Sequence, residues 1–455
     1  MEIVVDDILI RVLGMLHPED VLSIRQTSKR LKAITHLRTI WQDQFRFEVL
    51  CKGLPVPGTA IPLQKMSALD LEWRTRLAVQ VQKMWTRPVC PLRPVLHRSI
   101  PAAYQVALRN GGRELLTLHT GRFIIWNLED VKELAAKNII REHCLGSHTV
   151  WKIHKDHGRL GATAIADSSG KDVFIFKGSL GGSPLRRQYR GRVLGLLNQF
   201  ILTSTHPESG GDIYIYNWTS TSFGYITIRA EPFFASVSFG DVITFTEFDS
   251  RLLVLRETCL EIYPVPTLPE KGRSTILKPV QAFLLPFPVQ FPVACSPCTP
   301  SELPNGDLAL PSKSKHAKTL SESICYQIAG TREVRGCILT RNTASEAKDA
   351  PYFRLDSNPF TTVKDCACIR VGHSGRGVWL DSRNNVYRCN TVSMVTPGGG
   401  EYPTLDVGLQ GSMPLCTLPG ILKDQQGDLS LDFDEGMGRI VYCDEAGLVS
   451  VVDVV

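Results

Sequence analysis

The apolar positions of the first fifty residues recur at helical spacing. The first stripe follows the pattern i, i+1, i+4, i+5 and i+8 and consists of Ile8, Leu9, Val12, Leu13 and Leu16. This spacing places the five side chains on one side of an amphipathic helix. Pro18 ends that helix and begins a second one, because proline is tolerated only in the first turn of a helix. Helices this short are marginally stable alone, so their apolar stripes must pack against each other or against a partner.

Further helices are predicted before the pattern changes. Ser28 is a suitable N-cap for a third helix. A longer helix begins at Ser67, with Asp70 three residues later in the arrangement of a capping box. The predicted stripe of that helix contains Leu69, Trp73, Leu77, Val81, Met84 and Trp85. Three prolines between residues 87 and 94 predict a stiff segment. We therefore interpret residues 51–94 as a helical and proline-rich linker that few contacts cross.

From residue 95 to residue 455 the apolar pattern changes to the period of two that is typical of β-strands. Similar apolar and aromatic strands recur at roughly 40 to 65 residue intervals, which suits the blades of a propeller with loop insertions. These strands are predicted at residues 121–127, 170–176, 212–216, 259–263, 323–328, 385–388 and 448–452. Each is interpreted as the third strand of a blade, so the sequence predicts a seven-bladed β-propeller. A β-sandwich or two smaller β domains would be the alternative.

The predicted propeller also needs a closed ring, because a four-stranded blade has two apolar faces that only its neighbours can cover. The chain ends on a predicted third strand, so the missing fourth strand is expected from residues 93–100. Two details resemble WD-type repeats. A first strand follows His148, and Trp126-Asn127 stands where such repeats often carry Trp-Asp.

The helical head resembles an F-box. The resemblance rests on four groups of residues, at 4–9, 18–21, 27–31 and 40–41. It departs at Val4-Val5, where the family usually has Leu-Pro, and at Leu31, where it often has Trp. The resemblance implies an α+β multidomain chain with an F-box at 1–50, the linker at 51–94 and the propeller at 95–455. It further implies that the head binds the Skp adaptor of a cullin-based ubiquitin ligase.

The function implied by this resemblance is that of a substrate receptor in a Skp–cullin–F-box ubiquitin ligase. The residues expected to contact the adaptor, or to shape the contact surface, are Val4, Val5, Ile8, Leu9, Val12, Leu13, Pro18, Val21, Ile24, Ser28, Lys29 and Leu31. The propeller would bind an unknown target protein and hold it close to the ubiquitin-loaded partner, which raises its effective concentration.

Three alternatives stay open at this point. The head could be an ordinary three-helix subdomain that packs on its own chain. The chain could also be a propeller scaffold whose head serves a protein assembly unrelated to ubiquitin. The third alternative is a propeller enzyme with a site in its central channel.

Composition changes this picture little. A net charge of +6 over 455 residues is modest and predicts neither a nucleic-acid partner nor a membrane surface. No apolar run approaches the roughly 18 residues of a membrane span, and the acidic N-terminus is unlike a secretory signal. The 13 cysteines are an odd number and are scattered, which is typical of free thiols inside the cell. We therefore expect an intracellular protein, cytoplasmic or nuclear.

Candidate chemistry is sparse. The sequence contains neither a nucleophile elbow nor a phosphate-binding loop, so a non-enzymatic protein without a cofactor is expected. The crowded residues His143, Cys144, His148, His154 and His157 lack the spacing of zinc ligands, so no metal site is assigned. Four arginines are the strongest candidates for binding an acidic or phosphorylated target, because guanidinium groups hold carboxylates and phosphates bidentately. They are Arg186, Arg187, Arg190 and Arg192.

Overall fold

The N-terminal part of the chain is helical. The computed structural model describes residues 5–58, 61–86, 96–98, 103–128, 139–145, 151–155, 162–167, 172–176, 184–205, 212–220, 225–229, 242–248, 251–265, 274–285, 288–293, 321–328, 334–341, 353–356, 365–372, 376–395, 401–406, 415–418 and 430–453. The helices are α1 (Asp6–Met15), α2 (Pro18–Arg25), α3 (Lys29–Thr35), α4 (Arg38–Gln44) and α5 (Ala68–Thr86). A π-helical turn (Phe45–Leu50) follows α4, and a 3-10 turn (Leu63–Lys65) precedes α5. Residues 5–86 are called the helical region below.

The helical region is built around one apolar core. Val21, Ile40 and Trp41 are fully buried in it, and Leu71 and Ala78 of α5 belong to the same core. The helix starts follow the predicted signals: Ser28 Oγ accepts the Leu31 amide at 3.1 Å, and Pro18 occupies the first turn of α2. The short helices therefore stabilise one another through α5.

Strands make up the rest of the described chain. The first strands are β1 (Leu96–Arg98), β2 (Ala103–Arg109), β3 (Glu114–His119), β4 (Arg122–Asn127), β5 (Ile139–Cys144), β6 (Trp151–Lys155), β7 (Thr163–Asp167), β8 (Val173–Phe176), β9 (Leu185–Arg187), β10 (Arg192–Leu197), β11 (Phe200–Ser204), β12 (Ile213–Asn217) and β13 (Tyr225–Ile228). The next are β14 (Val242–Phe248), β15 (Arg251–Arg256), β16 (Cys259–Pro264), β17 (Ser274–Leu277), β18 (Gln281–Leu284), β19 (Val289–Val293), β20 (Ser321–Ile328), β21 (Val334–Arg341) and β22 (Phe353–Asp356). The last are β23 (Cys366–Val371), β24 (Arg376–Asp381), β25 (Asn385–Val395), β26 (Glu401–Asp406), β27 (Cys416–Thr417), β28 (Leu431–Asp434), β29 (Arg439–Cys443) and β30 (Val449–Asp453).

The described strands pair into seven sheets, numbered here in chain order. Sheet 1 is β2-β3-β4-β5, sheet 2 is β6-β7-β8-β9, sheet 3 is β10-β11-β12-β13-β17 and sheet 4 is β14-β15-β16-β18. Sheet 5 is β19-β20-β21-β22, sheet 6 is β23-β24-β25-β26 with β27 on β25, and sheet 7 is β28-β29-β30-β1. The first strand of each sheet contacts the first strand of the next, and β28 contacts β2. The sheets therefore form a closed ring of the propeller type.

The packing of the ring explains why its strands are apolar on both faces. Buried apolar side chains fill the spaces between neighbouring sheets, for example those of sheets 1 and 2 and those of sheets 3 and 4. Ring closure follows the sequence prediction. Strand β1 pairs antiparallel with β30, with Leu96 opposite Val451 and Arg98 opposite Val449. The start of the β domain thus supplies the fourth strand of its last sheet.

Two features of the ring differ from the sequence prediction. The strand predicted at 323–328 as a third strand is the second of its sheet, because Ser321–Ile328 lies between β19 and β21. The third strand there is β21, which the pattern did not single out. Strand β17 is also unexpected. It lies in sequence between β16 and β18 of sheet 4, but it pairs in parallel with β13 at the outer edge of sheet 3.

Candidate interaction surfaces

One side of α1 carries a row of large apolar side chains that the rest of the described chain leaves uncovered. Val5, Ile8, Val12 and Met15 are 60%, 55%, 48% and 82% exposed. Their spacing of three, four and three residues aligns them along one face of the helix. We call these four residues the outer stripe. Since single exposed apolar residues are ordinary and aligned ones are not, the outer stripe is a candidate contact surface.

The opposite side of α1 packs inward. Leu13 is 2% exposed and contacts the core of the helical region. The side-chain amide of Gln44 donates to the carbonyls of Leu13, Gly14 and Leu16, at 2.9, 3.0 and 2.5 Å. These bonds satisfy carbonyls that the end of a helix otherwise leaves without partners. The orientation of α1, and therefore that of the outer stripe, is fixed from the inside.

The residues predicted to contact an adaptor divide into three groups. Exposed are Val5, Ile8, Val12, Ser28 and Lys29; half-buried are Leu9, Ile24 and Leu31; buried are Leu13, Pro18 and Val21. Val4 lies outside the described residues. The three buried residues stabilise the packing of the head and do not lie on a surface that an adaptor could contact. Met15 is the most exposed member of the outer stripe and was missed, although its position three residues after Val12 was a usable signal.

A second surface of the helical region is covered by the propeller. The ring of Trp85, near the end of α5, stacks on Phe433 with centroids 5.6 Å apart. Arg388 donates to the carbonyls of Met84 and Trp85 at 2.8 and 2.7 Å, which places a cation at the C-terminus of the helix. The prediction that few contacts cross the linker is therefore wrong, because α5 belongs to the cores of both regions. We call this packed surface the joint.

Glycines allow the backbones to approach closely at the joint. A Cβ on Gly111 would lie 2.2 Å from the carbonyl carbon of Gly58, and a Cβ on Gly436 would lie 2.8 Å from the carbonyl oxygen of Val56. Arg74 is fully buried and donates to the carbonyl of Pro57 at 2.6 Å. Burial lowers the pKa of Arg74, and the nearby Arg113 lowers it further. Even a buried charge at the joint is thus hydrogen-bonded to the chain.

The joint defines which face of the ring is covered. Gly111 and Gly436 lie in the turns between the first and second strands of sheets 1 and 7, and Arg376, which begins the second strand of sheet 6, bonds to Gln82 of α5. Strands alternate in direction within a sheet, so connections from a fourth strand to the next first strand emerge on the opposite face. That opposite face is called the open face here.

The four predicted arginines lie along such a connection, between β9 and β10 on the open face, but they do not converge. Arg186 pairs with Asp172 at 2.7 Å and covers Phe174, which packs toward sheet 1. Arg187 lies opposite Val173, which packs toward sheet 3. Alternation along a strand therefore sends the neighbouring arginines to different sides of sheet 2.

The other two arginines are also separated. Arg190 lies over the ring of Tyr214 at 5.1 Å. Arg192 precedes Val193, which packs toward sheet 2, so the pleat directs Arg192 to the other face of its strand. Only Arg187 and Arg190 lie on the sides of sheets 2 and 3 that face each other.

Four tyrosines lie with Arg187 and Arg190 between sheets 2 and 3. Tyr189 and Tyr216 have ring centroids 5.1 Å apart, and Tyr225 lies 5.6 Å from both Tyr214 and Tyr216. Burial raises the pKa of Tyr216 to about 12 and also raises that of Tyr189. The phenols of Tyr189 and Tyr216 therefore stay protonated at neutral pH. We call this group of six side chains the tyrosine crevice.

One residue of the histidine-rich segment, His143, packs between aromatic rings. The ring of His143 lies 5.4 Å from Phe123 and 5.0 Å from Phe174. His148 and His157 lie outside the described residues. Within the described part of the chain, no three His, Cys, Asp or Glu side chains are grouped in a way that could hold a metal ion.

No helix among the described residues is both long enough and apolar enough to cross a membrane.

Comparisons with known proteins bear on the fold. No family model matches the chain. No curated protein matches it either. Among solved structures, the β-propeller domain of Cps50 (Swd1) from Myceliophteria thermophila is similar, with a TM-score of 0.50 and 11% identity, and the match covers 80% of this chain and all of that one.

Two further structures resemble the chain more weakly. The N-terminal domain of Nup159 has a TM-score of 0.39 and 12% identity, over 80% of this chain and 94% of that one. The WD40 domain of SCAP from fission yeast has a TM-score of 0.38 and 10% identity, over 77% and 84%. The closed ring of sheets and the likeness to the Swd1 propeller domain together show the fold. The protein consists of a small helical region followed by a β-propeller.

Proposed function

We propose that the protein is a substrate receptor that binds a Skp adaptor through α1, and through that adaptor a cullin, while its propeller holds a target protein for ubiquitination. The observation that carries the proposal is the outer stripe: Val5, Ile8, Val12 and Met15 stay exposed, although the other side of α1 packs on the core of the helical region. The F-box resemblance of the same residues names the partner.

The outer stripe has the form of a helix that docks in an apolar groove. In that mode of recognition, one helical face presents anchors at three- and four-residue spacing to a complementary surface. Aliphatic anchors gain roughly 25 cal/mol for each Å² removed from water. An adaptor with an apolar groove fits this surface. A partner that binds through charged groups would not need four aligned apolar side chains on α1.

The arrangement of the two regions supports the same proposal. The joint holds the helical region against one face of the ring, which leaves the open face available to a target. We assign one propeller blade to each of the seven sheets. We take residues 1–50 as the head, residues 51–94 as a connecting segment whose helix α5 packs on both regions, and residues 95–455 as the propeller. In this scheme the protein performs no chemistry and needs no cofactor, because its contribution is to raise effective concentration.

Co-purification with a Skp adaptor tests the proposal. The full chain with Ile8, Val12 and Met15 changed to serine should lose the adaptor, since three anchors are removed at once. Replacing Leu9 and Pro18 would be a poor test, because Pro18 is buried and its loss would disturb the head itself. Leu69→Ser is the matched control, since Leu69 is 71% exposed on α5. Equal adaptor binding by the triple variant and the control would contradict the proposal.

A second candidate is a propeller scaffold whose head serves a different assembly. It is favoured by the two departures from the F-box pattern, at Val4-Val5 and at Leu31. The same variants separate the two functions. If the wild-type chain fails to bind any Skp adaptor but loses another partner in the triple variant, the scaffold function is the correct one.

A further inference from the structure

Sheet 3 extends one strand further outward than its neighbour, sheet 4. Its outermost strand is β17, which pairs in parallel with β13, with Ile228 opposite Leu277. Leu277 packs against the core between sheets 3 and 4, so the face of β17 that carries Leu277 is directed toward sheet 4. Sheet 4 ends at β18, and among the described strands it has no fifth member to pack against β17.

The outer edge of β18 presents backbone groups to that position. The amide of Leu285, which follows the strand, donates to the carbonyl of Thr258 at 2.9 Å, so the backbone of Leu285 points toward β16. The hydrogen-bonding direction alternates along an antiparallel strand. Phe283 therefore also points toward β16, whereas Ala282 and Leu284 direct their amides and carbonyls away from it. No described strand lies beyond them.

Two large aliphatic side chains accompany this edge and are accessible. Leu284 lies opposite Cys259, which shares a face of β16 with Tyr263, and Tyr263 packs toward sheet 3. Leu284 is therefore on the side of sheet 4 that faces sheet 3. Val280 precedes the strand, and its amide donates to the carbonyl of Ile262 at 2.8 Å, which holds Val280 next to β18. Val280 and Leu284 are 52% and 47% exposed, so the edge offers apolar contacts as well as hydrogen bonds.

Two basic side chains lie beside one end of the edge. Arg229 and Lys278 directly follow the paired ends of β13 and β17, so they lie side by side. Both are exposed. Val280 comes two residues after Lys278, which places the positive charges near the Val280 end of β18. A partner with a negative charge at that end would be complementary.

We propose that the outer edge of β18 binds an extended segment of a partner protein, which adds a fifth strand to sheet 4 and packs against β17. An extended chain is required, because its amides and carbonyls repeat at the spacing of a strand edge. The side chains that face sheet 3 would be aliphatic, to pack on Leu277 and Leu284, and an acidic residue would lie next to Arg229 and Lys278. This inference concerns the perimeter of the ring and goes beyond the proposed function, whose surfaces are α1 and the open face.

A partner segment is favoured over a second copy of the chain. An antiparallel pair of β18 strands around a two-fold axis would place sheet 3 of both copies on the same side of the joined sheet. The β17 strand of each copy would then collide with β13 of the other, because β17 extends sheet 3 one strand beyond β13. The position beside β17 therefore suits a single added strand.

Binding of synthetic peptides to the full chain, measured by fluorescence anisotropy, tests the proposal. The probes alternate valine with threonine over about eight residues, which is within the usual length of a strand. They carry an aspartate at one end or at the other, so that both strand directions are represented. A second set has proline in place of two central threonines, which removes main-chain donors. The wild type should bind one of the aspartate peptides at least about tenfold more tightly than its proline counterpart, because strand pairing is lost.

Variants of the edge locate the contact. Val280→Ser with Leu284→Ser should weaken binding at least about tenfold, because two aliphatic contacts are lost. The matched control is Ile140→Ser with Ile276→Ser, whose side chains are 40% and 43% exposed. Ile140 lies on β5 of sheet 1, and Ile276 lies on the other face of β17, toward the tyrosine crevice. The control should bind within about twofold of the wild type.

Two further variants separate main-chain pairing from charge. Ala282→Pro removes one outward amide and keeps the pairing with β16, so binding should weaken about fivefold or more while the thermal melt stays cooperative. Arg229→Gln with Lys278→Gln should weaken the aspartate peptide about threefold and leave its asparagine counterpart unchanged.

Several outcomes would overturn the proposal. Equal losses in the two double-serine variants, or equal binding of the proline peptides, would mean that β18 is not the edge that pairs. Slow hydrogen exchange of the Ala282 and Leu284 amides in the peptide-free monomer would mean that the chain's own residues cover the edge. A dimer in sedimentation that dissociates on Val280→Ser with Leu284→Ser would assign the edge to a second copy. Binding of a Skp adaptor should be the same in all these variants as in the wild type, because none of them touches α1.

Discussion

Helices α1 and α5 of the helical region both carry apolar stripes, but their surroundings differ. The outer stripe of α1 is about half or more exposed at every member, whereas Trp85 at the end of α5 is 3% exposed against the propeller. The polar residues show the same contrast. Arg74 of α5 is fully buried and bonded to a backbone carbonyl, while Asp6 at the start of α1 and Arg30 of α3 form an exposed pair.

This contrast separates a permanent interface from a surface available to a partner. A helix that packs its apolar face on its own chain buries polar neighbours with it. In α5 one of these is Glu72, whose carboxylate accepts N–H groups from both terminal nitrogens of Arg25 at 2.8 Å. A face kept for a partner stays apolar and unbonded. The outer stripe has this second character, which is why the proposal of adaptor binding is placed on α1 and not on α5.

The largest expected effect is at the joint. Trp85→Ala removes the ring that stacks on Phe433 and should lower the free energy of unfolding by about 3–5 kcal/mol, the usual range for a buried aromatic residue. Urea unfolding followed by far-UV circular dichroism measures the change. We also expect the wild type to unfold in one transition and the variant in two, because the head and propeller lose their shared core.

Leu69→Ala is the control for the joint, since Leu69 lies on the same helix and is 71% exposed. Its effect should stay within about 0.5 kcal/mol. If Trp85→Ala is as mild as this control, α5 does not couple the two regions, and the contrast between the two helices fails.

A smaller effect is expected within α1 itself, where the adjacent residues Val12 and Leu13 differ in burial. Leu13→Ala should cost about 2–5 kcal/mol, because it leaves a cavity in the core of the helical region. Val12→Ala should change stability by less than about 0.5 kcal/mol, because Val12 is 48% exposed. Thermal melts of the two variants measure the difference. Similar losses from both would mean that the outer stripe is covered by the protein's own chain.

Local sequence signals predicted the elements better than their partners. The capping residues, Pro18 and the apolar spacing predicted where helices begin, because these signals act within one turn. Strand β1 was predicted to close the ring because a sheet with only three strands leaves an edge unpaired. The helix starts are determined by residues within each segment, and the position of β1 follows from the need to close the ring.

Contacts between distant segments could not be read in the same way. The predicted stripe of α5 included Leu69, which is exposed, and omitted Arg74 and Thr75, which are buried. A helix that packs on two partners has no single apolar stripe. The spacing of apolar residues in α5 therefore does not predict which of its side chains are buried. The four arginines were predicted as one group from their closeness in sequence. Their separation depends on strand pleat and on where β9 ends, which sequence spacing does not record.

The smallest expected effect concerns the start of α5 and depends on pH. Ser67 Oγ accepts the Asp70 amide at 3.1 Å, and the Ser67 hydroxyl donates to the Asp70 carboxylate at 2.7 Å. The second bond lowers the pKa of Asp70 below its ordinary value of 3.8. A carboxyl group with a lowered pKa in the folded state contributes stability above its ordinary pKa and loses it as the pH falls through the folded value. Ser67→Ala should cost about 1 kcal/mol near neutral pH, and this cost should shrink below about pH 4.

Ser28→Ala provides the comparison for this effect. Ser28 caps α3 through the Leu31 amide, and the residue three positions on carries no carboxylate, so its contribution of about 1 kcal/mol should not depend on pH in that range. Stability curves of the wild type and both variants between pH 3 and pH 7 measure the two differences. If the two caps lose stability in parallel on acidification, the cause is general acid destabilisation of the helical region rather than the Asp70 carboxylate. If only the Ser67 difference shrinks, the capping box at the start of α5 makes a pH-dependent contribution to the helix that joins the two regions.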